Sequence, residues 1–128
     1  MRMLKEGRYP DDRGVLIQSL IRTVSHQLYH LKVQVRGDEE IKAVFKMSVE
    51  LLKELSDPTQ RLALAESISK KLPVLADFKN SSIFKNVPYQ LGQVIARADQ
   101  TRLTSTAAQH LAATQTALNQ HMQVHGAA

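Results

Sequence analysis

The chain has 128 residues, 43% of them hydrophobic, a formal charge of +5 and no cysteine. This length suits one domain built around one core, and the lack of cysteine excludes a disulfide framework, a thiolate nucleophile and any metal site that needs thiolate ligands. Because there are only three Tyr, three Phe and no Trp, aliphatic side chains must supply most of the core, which favours packed helices over a β-sandwich or barrel.

The first segment, residues 1–14, is predicted to form a basic arm rather than a helix, because Gly7, Pro10 and Gly14 interrupt any helical periodicity. It lacks the apolar region of a signal peptide, and no part of the chain approaches the ~18 uncharged apolar residues of a membrane span. We therefore expect a cytoplasmic protein without a membrane partner.

Residues 15–35 are predicted to form the first helix. Eight apolar residues among them fall within one arc of about 140° when successive residues are placed about 100° apart. These eight are Leu16, Ile17, Leu20, Ile21, Val24, Leu28, Leu31 and Val35. Gly37 suits the left-handed position that ends many helices. Asp38 is then expected to cap a second helix that runs to Leu55 and has an acidic first turn. The two helices should pack as an antiparallel hairpin.

A third helix is predicted from the pair Asp57 and Pro58, since Asp at the N-cap followed by Pro at the first helical position is a specific helix-opening signal. Pro73 is expected to end or kink this helix, because proline lacks the amide hydrogen that a helix interior requires.

The fourth helix is predicted to begin at Asn86 as the cap, with Pro88 in its first turn, and to reach about Ala98. Ile83 and Phe84 are expected to pack a preceding loop against the core.

The apolar face then changes side between this helix and the C-terminal segment. Either the helix breaks in the polar residues 99–106, with Thr104 or Ser105 as a new cap, or one long helix packs its two halves on different partners. We favour the break.

The predicted fold is therefore all-α: an antiparallel four- to five-helix bundle with a basic N-terminal arm. The expected units are the arm, residues 1–14, a helical bundle domain, residues 15–103, and an uncharged C-terminal helix and tail, residues 104–128. The core is predicted to comprise Leu16, Leu20, Val24, Leu28, Leu31, Phe45, Val49, Leu52, Leu62, Ile68, Leu91, Val94 and Ile95.

Two histidine pairs, His26 with His30 and His121 with His125, have the i, i+4 spacing that lets neighbouring imidazoles share a metal. His110 is expected on the same stripe as the second pair. However, no Asp or Glu follows Asp99 in the sequence. Surface or interface histidine is therefore the preferred interpretation, and we predict no metal site and no cofactor.

Catalysis has little support in the sequence. The chain contains no Gly-rich phosphate loop, no G-x-S-x-G motif and no H-E-x-x-H motif. Carboxylate pairs such as Glu50 and Glu54 are typical of a solvated helix face. We therefore expect a protein that is not an enzyme and has no small-molecule substrate.

The preferred function is that of a small interaction or adaptor protein, which binds a protein partner or forms a homo-oligomer through its C-terminal helix. The last 26 residues contain no Lys, Arg, Asp or Glu, and an uncharged helix is typical of one that packs on something. The same pattern is equally consistent with a helix that completes its own bundle. The predicted partner-binding residues are Ala107, His110, Leu111, Leu118, His121, Met122 and His125.

The alternative is a nucleic-acid-binding accessory or regulatory protein. Basic residues precede the first helix and surround Pro73, where they could contact phosphates and give salt-dependent affinity with little sequence preference. The acidic middle third of the chain and the scarcity of aromatic residues for base stacking oppose this interpretation. The candidate residues are Arg2, Lys5, Arg8, Arg13, Lys70, Lys71, Lys79 and Lys85.

Overall fold

The computed structural model describes residues 10–31 and 37–125, and within them every regular element is a helix. This confirms the predicted all-α bundle. The α-helices are α1, Pro10–Tyr29, α2, Asp38–Glu54, α3, Pro58–Ser69, α4, Ile83–Arg97, and α5, Ser105–His125. A 3₁₀ helix, Leu72–Phe78, connects α3 with α4, and a shorter one, Gln100–Arg102, connects α4 with α5.

Helix α1 begins at Pro10, before the predicted start at Val15. Proline is favourable at the first helical position because the amide hydrogen it lacks would have no partner there, and Gly14 is accommodated within the helix. The helix ends at Tyr29 and is followed by a turn at His30 and Leu31. Residues 1–9 of the predicted arm and 32–35 of the predicted helix lie outside the described residues.

The start of α2 differs from the prediction by one residue. Gly37 occupies the N-cap, and Asp38 is the first helical residue, so Asp38 is not the cap. The backbone of Gly37 has φ −70°, which is not the left-handed conformation expected for it. Its carbonyl accepts the amide hydrogen of Ile41 at 3.1 Å, which starts the helical hydrogen bonding. The acidic first turn lies where the helix dipole favours negative charge.

Helix α3 begins as predicted, with Pro58 at the first helical position. The Asp57 carboxylate accepts a hydrogen bond from the Gln60 amide at 2.9 Å and so caps the helix. The α-helix ends at Ser69, and Pro73 lies in the 3₁₀ helix that follows. The prediction that the helix ends or kinks near this proline is therefore confirmed.

Helix α4 begins earlier than predicted, so Ile83 and Phe84 are helical rather than part of a loop. Asn86 is consequently not its cap, and Pro88 lies inside the helix.

The chain breaks between α4 and α5 as predicted. Ala98 is extended, a short 3₁₀ turn follows, and the Thr104 hydroxyl accepts a hydrogen bond from the Ala107 amide at 3.1 Å. Thr104 is thus the N-cap of α5. Because the helix is interrupted here, α5 is rotated relative to a continuous extension of α4, and its apolar residues can face the bundle.

Helix α3 is central in the bundle, because it contacts α1, α2, α4 and α5. None of its residues from Thr59 to Ser69 is exposed. The fully buried ones fall within an arc of about 160° when successive residues are placed about 100° apart. They are Leu62, Leu64, Ala65, Ile68 and Ser69.

Most of the predicted core is confirmed, with Phe45 and Leu91 fully buried. The prediction that Leu20 belongs to the core is wrong, because 43% of this residue is exposed. Leu16 and Ile95 are only partly buried. Leu20 lines an open groove between α1 and α2, together with Met47 and Leu51, so α2 does not fully cover it. None of the helices in the described ranges is long and apolar enough to cross a membrane.

We predict that Leu52→Asp lowers the free energy of unfolding by about 3–5 kcal/mol, because it buries an unpaired charge, whereas Leu20→Asp costs far less. Leu52 is 2% exposed and Leu20 is 43% exposed. Urea denaturation of the two variants beside the parent chain measures the difference. Equal losses in both variants would contradict the described packing of α1 on α2.

Candidate partner-binding groove

A groove of about 690 Å³ lies between α4 and α5. Helix α4 contributes residues at i, i+1, i+4, i+5, i+8 and i+9, and α5 contributes residues at i, i+3, i+4 and i+7, so each helix presents one continuous stripe. The α4 stripe comprises Phe84, Lys85, Pro88, Tyr89, Gly92 and Gln93. The α5 stripe comprises Leu118, His121, Met122 and His125.

The groove exists because α4 carries two adjacent apolar stripes and the core covers only one of them. Ile83, Val87 and Leu91 are buried on the inner stripe. On the outer stripe, 62% of Tyr89 is exposed, and across the groove 46% of Met122 is exposed. Large apolar side chains at the walls of a concave surface are typical of sites that bind another molecule.

Gly92 leaves the middle of the α4 wall open. A Cβ atom added at this glycine would meet no other heavy atom within 4 Å. A close approach of another backbone segment is therefore not the reason for a glycine at this position. Its lack of a side chain gives the groove its width at this point.

Three aromatic rings pack together at one end of the groove. The Phe84 ring centroid lies 5.8 Å from that of His121 and 5.6 Å from that of His125, and the two histidine centroids are 4.9 Å apart. His121 is only 7% exposed. Burial lowers the pKa of His121 below its ordinary value, and the charge of His125 lowers it further. His121 is therefore neutral at pH 7, and it forms an apolar wall.

His110 has a different role from the other two histidines of α5. Its Nδ1 lies 2.6 Å from the Glu66 Oε1 on α3, and the Lys70 Nζ lies 2.9 Å from the second oxygen of the same carboxylate. Burial alone would raise the pKa of Glu66, but hydrogen bonds and charge from Lys70 and His110 outweigh it, so the pKa is lowered. This cluster fixes α5 against α3.

The seven residues predicted to bind a partner thus divide into two groups. Ala107 and Leu111 are buried in the core of this chain, and His110 is bound to Glu66. The remaining four line the groove. The predicted surface is therefore not continuous: the first half of α5 completes its own bundle, and the second half faces the groove.

The sequence prediction misses the α4 half of the groove because it places Phe84 in a loop, whereas Phe84 is helical. The signal for it was the outer stripe itself, in which Phe84, Pro88 and Tyr89 repeat beside the core positions at helical spacing.

The candidate metal ligands form two pairs and no larger group. The His26 and His30 ring centroids are 4.3 Å apart. Over residues 10–31 and 37–125, no group of three or more His, Cys, Asp or Glu side chains is arranged to hold a metal ion.

The basic residues of the nucleic-acid alternative are placed as follows. Lys70 pairs with Glu66, and Lys71 donates to the Tyr29 carbonyl at 3.0 Å. Lys79 and Lys85 are exposed. Nothing is described for the side chain of Arg13 or for Arg2, Lys5 and Arg8, so nucleic-acid binding stays a prediction.

No protein-family model matches the chain, and neither a curated protein nor a solved structure is significantly similar to it. The geometry of the groove therefore carries the functional argument.

We predict that Gly92→Ala stabilises the fold by about 0.5–1 kcal/mol, because alanine in a helix interior loses less backbone entropy on folding than glycine does. The open space beside Gly92 means that no atom must move to admit the methyl group. Urea denaturation gives the value. A destabilised variant would show that this wall of the groove is packed rather than open.

We predict that stability falls as the pH drops below 6.5, the ordinary pKa of histidine. His121 is protonated more readily in the unfolded chain than in the folded one, so protons favour unfolding from pH 6.5 down to the lowered pKa of His121, and no further loss comes from it below that. Urea denaturation at several pH values between about 7.5 and about 5, which bracket this window, measures the effect.

The control variants are His121→Leu, which should remove this pH dependence, and His26→Leu at an exposed position, which should retain it. A parent-like pH dependence in His121→Leu would exclude His121 as its source.

Proposed function

We propose that this chain is a non-enzymatic interaction protein that holds an amphipathic helix of a protein partner in the groove between α4 and α5. The observation that carries the proposal is the groove itself. It has about 690 Å³ of space, and the exposed apolar side chains of Tyr89 and Met122 stand on its opposite walls. An amphipathic helix that lays its apolar face into a hydrophobic groove is a recurrent mode of protein recognition.

The dimensions of the groove support a helical occupant. The lining residues extend from Phe84 to Gln93 on α4 and from Leu118 to His125 on α5. At about 1.5 Å per residue these stripes are roughly 10–14 Å long. That length matches two to three helical turns, which would place about three apolar anchors of the partner in the groove.

The charge of the lining supports acidic residues beside that apolar face. The ionisable groups that line the groove are Lys85, Tyr89, His121 and His125, with no Asp or Glu among them. Helix α5 as a whole contains no Asp or Glu. A partner helix with glutamates at the border of its apolar stripe would therefore meet Lys85 and no opposing carboxylate, which favours its orientation and association rate.

The test uses the full chain and two synthetic peptides of about 14 residues, a length near the minimum for an independent helix. Each has leucines at i, i+3, i+4 and i+7. One has glutamates at the other positions, and its matched control has lysines there. Binding is followed by ¹H–¹⁵N NMR, which locates the residues whose resonances shift.

We predict saturable binding of the glutamate peptide, with shifts concentrated in the two groove stripes and weaker binding of the lysine peptide. Gly92→Leu should weaken binding at least about tenfold, which corresponds to about 1.4 kcal/mol, because the new side chain fills the groove. Ala112→Leu adds the same side chain at an exposed position of α5 outside the groove and should leave binding unchanged.

Two outcomes would contradict the proposal. Equal effects of Gly92→Leu and Ala112→Leu would show that the peptide binds elsewhere. A chain that light scattering finds to be a stable dimer, and that becomes monomeric in Gly92→Leu, would show that a second copy occupies the groove.

A further inference from the structure

A second concave site lies on another part of the bundle and is lined by three arginines. It is a pocket of about 200 Å³ where the start of α3 meets the end of α4 and the connection to α5. Arg61 comes from α3, Arg97 from the last turn of α4, and Arg102 from the 3₁₀ turn. We infer that this pocket binds the phosphoryl group of a small phosphate or phosphomonoester.

The burial of the Arg61 side chain is the first observation that supports this inference. The side chain is partly buried, and its Nε is fully buried without a hydrogen-bond partner in the described part of the chain. A buried donor on a charged group is costly when it has no acceptor. The protein therefore holds a guanidinium in place without using this donor itself.

The single carboxylate of the pocket does not neutralise the arginines. Asp99 accepts hydrogen bonds from the amide and the hydroxyl of Thr101 through Oδ1, at 3.1 and 2.6 Å. Its other oxygen lies 3.4 Å from the Nε of Arg102. Asp99 thus shapes the 3₁₀ turn and contacts Arg102 on one side, so the three arginines and one aspartate leave an excess positive charge of two in the pocket.

The apolar base of the pocket strengthens the attraction of Arg61 for an anion, because Arg61 is partly buried whereas Arg97 and Arg102 are exposed. Leu62 and Val94 are buried beneath it, and Leu103 is partly buried beside it. Charges next to an apolar, weakly polarisable surface interact more strongly than charges surrounded by water.

The size and the donors of the pocket indicate the ligand class. The space is smaller than the roughly 300–1,000 Å³ typical of sites for whole cofactors or drug-sized ligands, so it suits a phosphoryl group with at most a small substituent. Guanidinium groups bind phosphate oxygens in pairs of parallel hydrogen bonds. Three of them can surround one tetrahedral oxyanion.

The experiment titrates the full chain with inorganic phosphate and with glycerol 3-phosphate, at an ionic strength held constant with sodium chloride. The readout is the arginine Nε–H region of the ¹H–¹⁵N NMR spectrum, in which the buried Nε of Arg61 is a direct reporter. We expect saturable shifts of the Arg61 resonance with phosphate and none with chloride. Saturation by phosphate alone would assign free phosphate as the ligand, and saturation by both probes would assign the phosphomonoester class.

The following variants distinguish a specific phosphate site from a general effect of positive charge on the protein surface. Arg97→Gln and Arg102→Gln should each weaken binding about tenfold. Arg61→Lys, followed through the Nε–H resonances of Arg97 and Arg102, should weaken it as much, because lysine keeps the charge but loses the two-pronged donor geometry. Lys53→Gln and Lys79→Gln remove the same charge at exposed positions outside the pocket and should change binding less than about twofold.

Equal weakening in all the charge-removing variants, or no saturation by about 10 mM phosphate, would overturn the inference.

Discussion

The packing of α5 on α3 is the interaction on which the rest of the structure depends. Helix α3 has no exposed residue from Thr59 to Ser69, and α5 covers it with a face made of Ala107, Leu111 and Thr114. The ion-paired cluster of Glu66, Lys70 and His110 fixes the two helices together at the border of that contact. Because α5 has no Lys, Arg, Asp or Glu, its remaining surface can form an apolar wall, and the groove with α4 is the result.

The break between α4 and α5 connects the two candidate sites. If the helix continued, the apolar residues of α5 would face away from those of α4, at about 100° per residue. The extended residue Ala98, the 3₁₀ turn and the cap at Thr104 reset this phase, and α5 can return to the bundle. The same connection supplies Arg102 and Leu103 to the arginine pocket. One interruption of helical continuity thus produces both the groove and the pocket.

The sequence predicted features whose cause is local and missed those whose cause is tertiary. The cap and proline at the start of α3 and the break before α5 depend on neighbouring residues, and both are confirmed. The prediction for Leu20 is wrong because periodicity shows which face of a helix is apolar but not how much of that face a neighbouring helix covers. Four of the residues predicted to bind a partner, Leu118, His121, Met122 and His125, line the α5 side of the groove. The α4 side is missed from the sequence because Phe84 is placed in a loop, and the arginine pocket is missed because its residues come from separate elements.

Amide hydrogen exchange followed by NMR tests the packing of α5 on α3 most directly. Exchange in a buried helix requires global or subglobal opening, whereas exchange in a frayed or undocked helix does not. We predict that the amides of Leu111 and Thr114 in α5 are protected as strongly as those of the fully buried Leu64 and Ile68 in α3. Rapid exchange across α5 with α3 still protected would contradict it, since the groove and the role assigned to it require a docked α5.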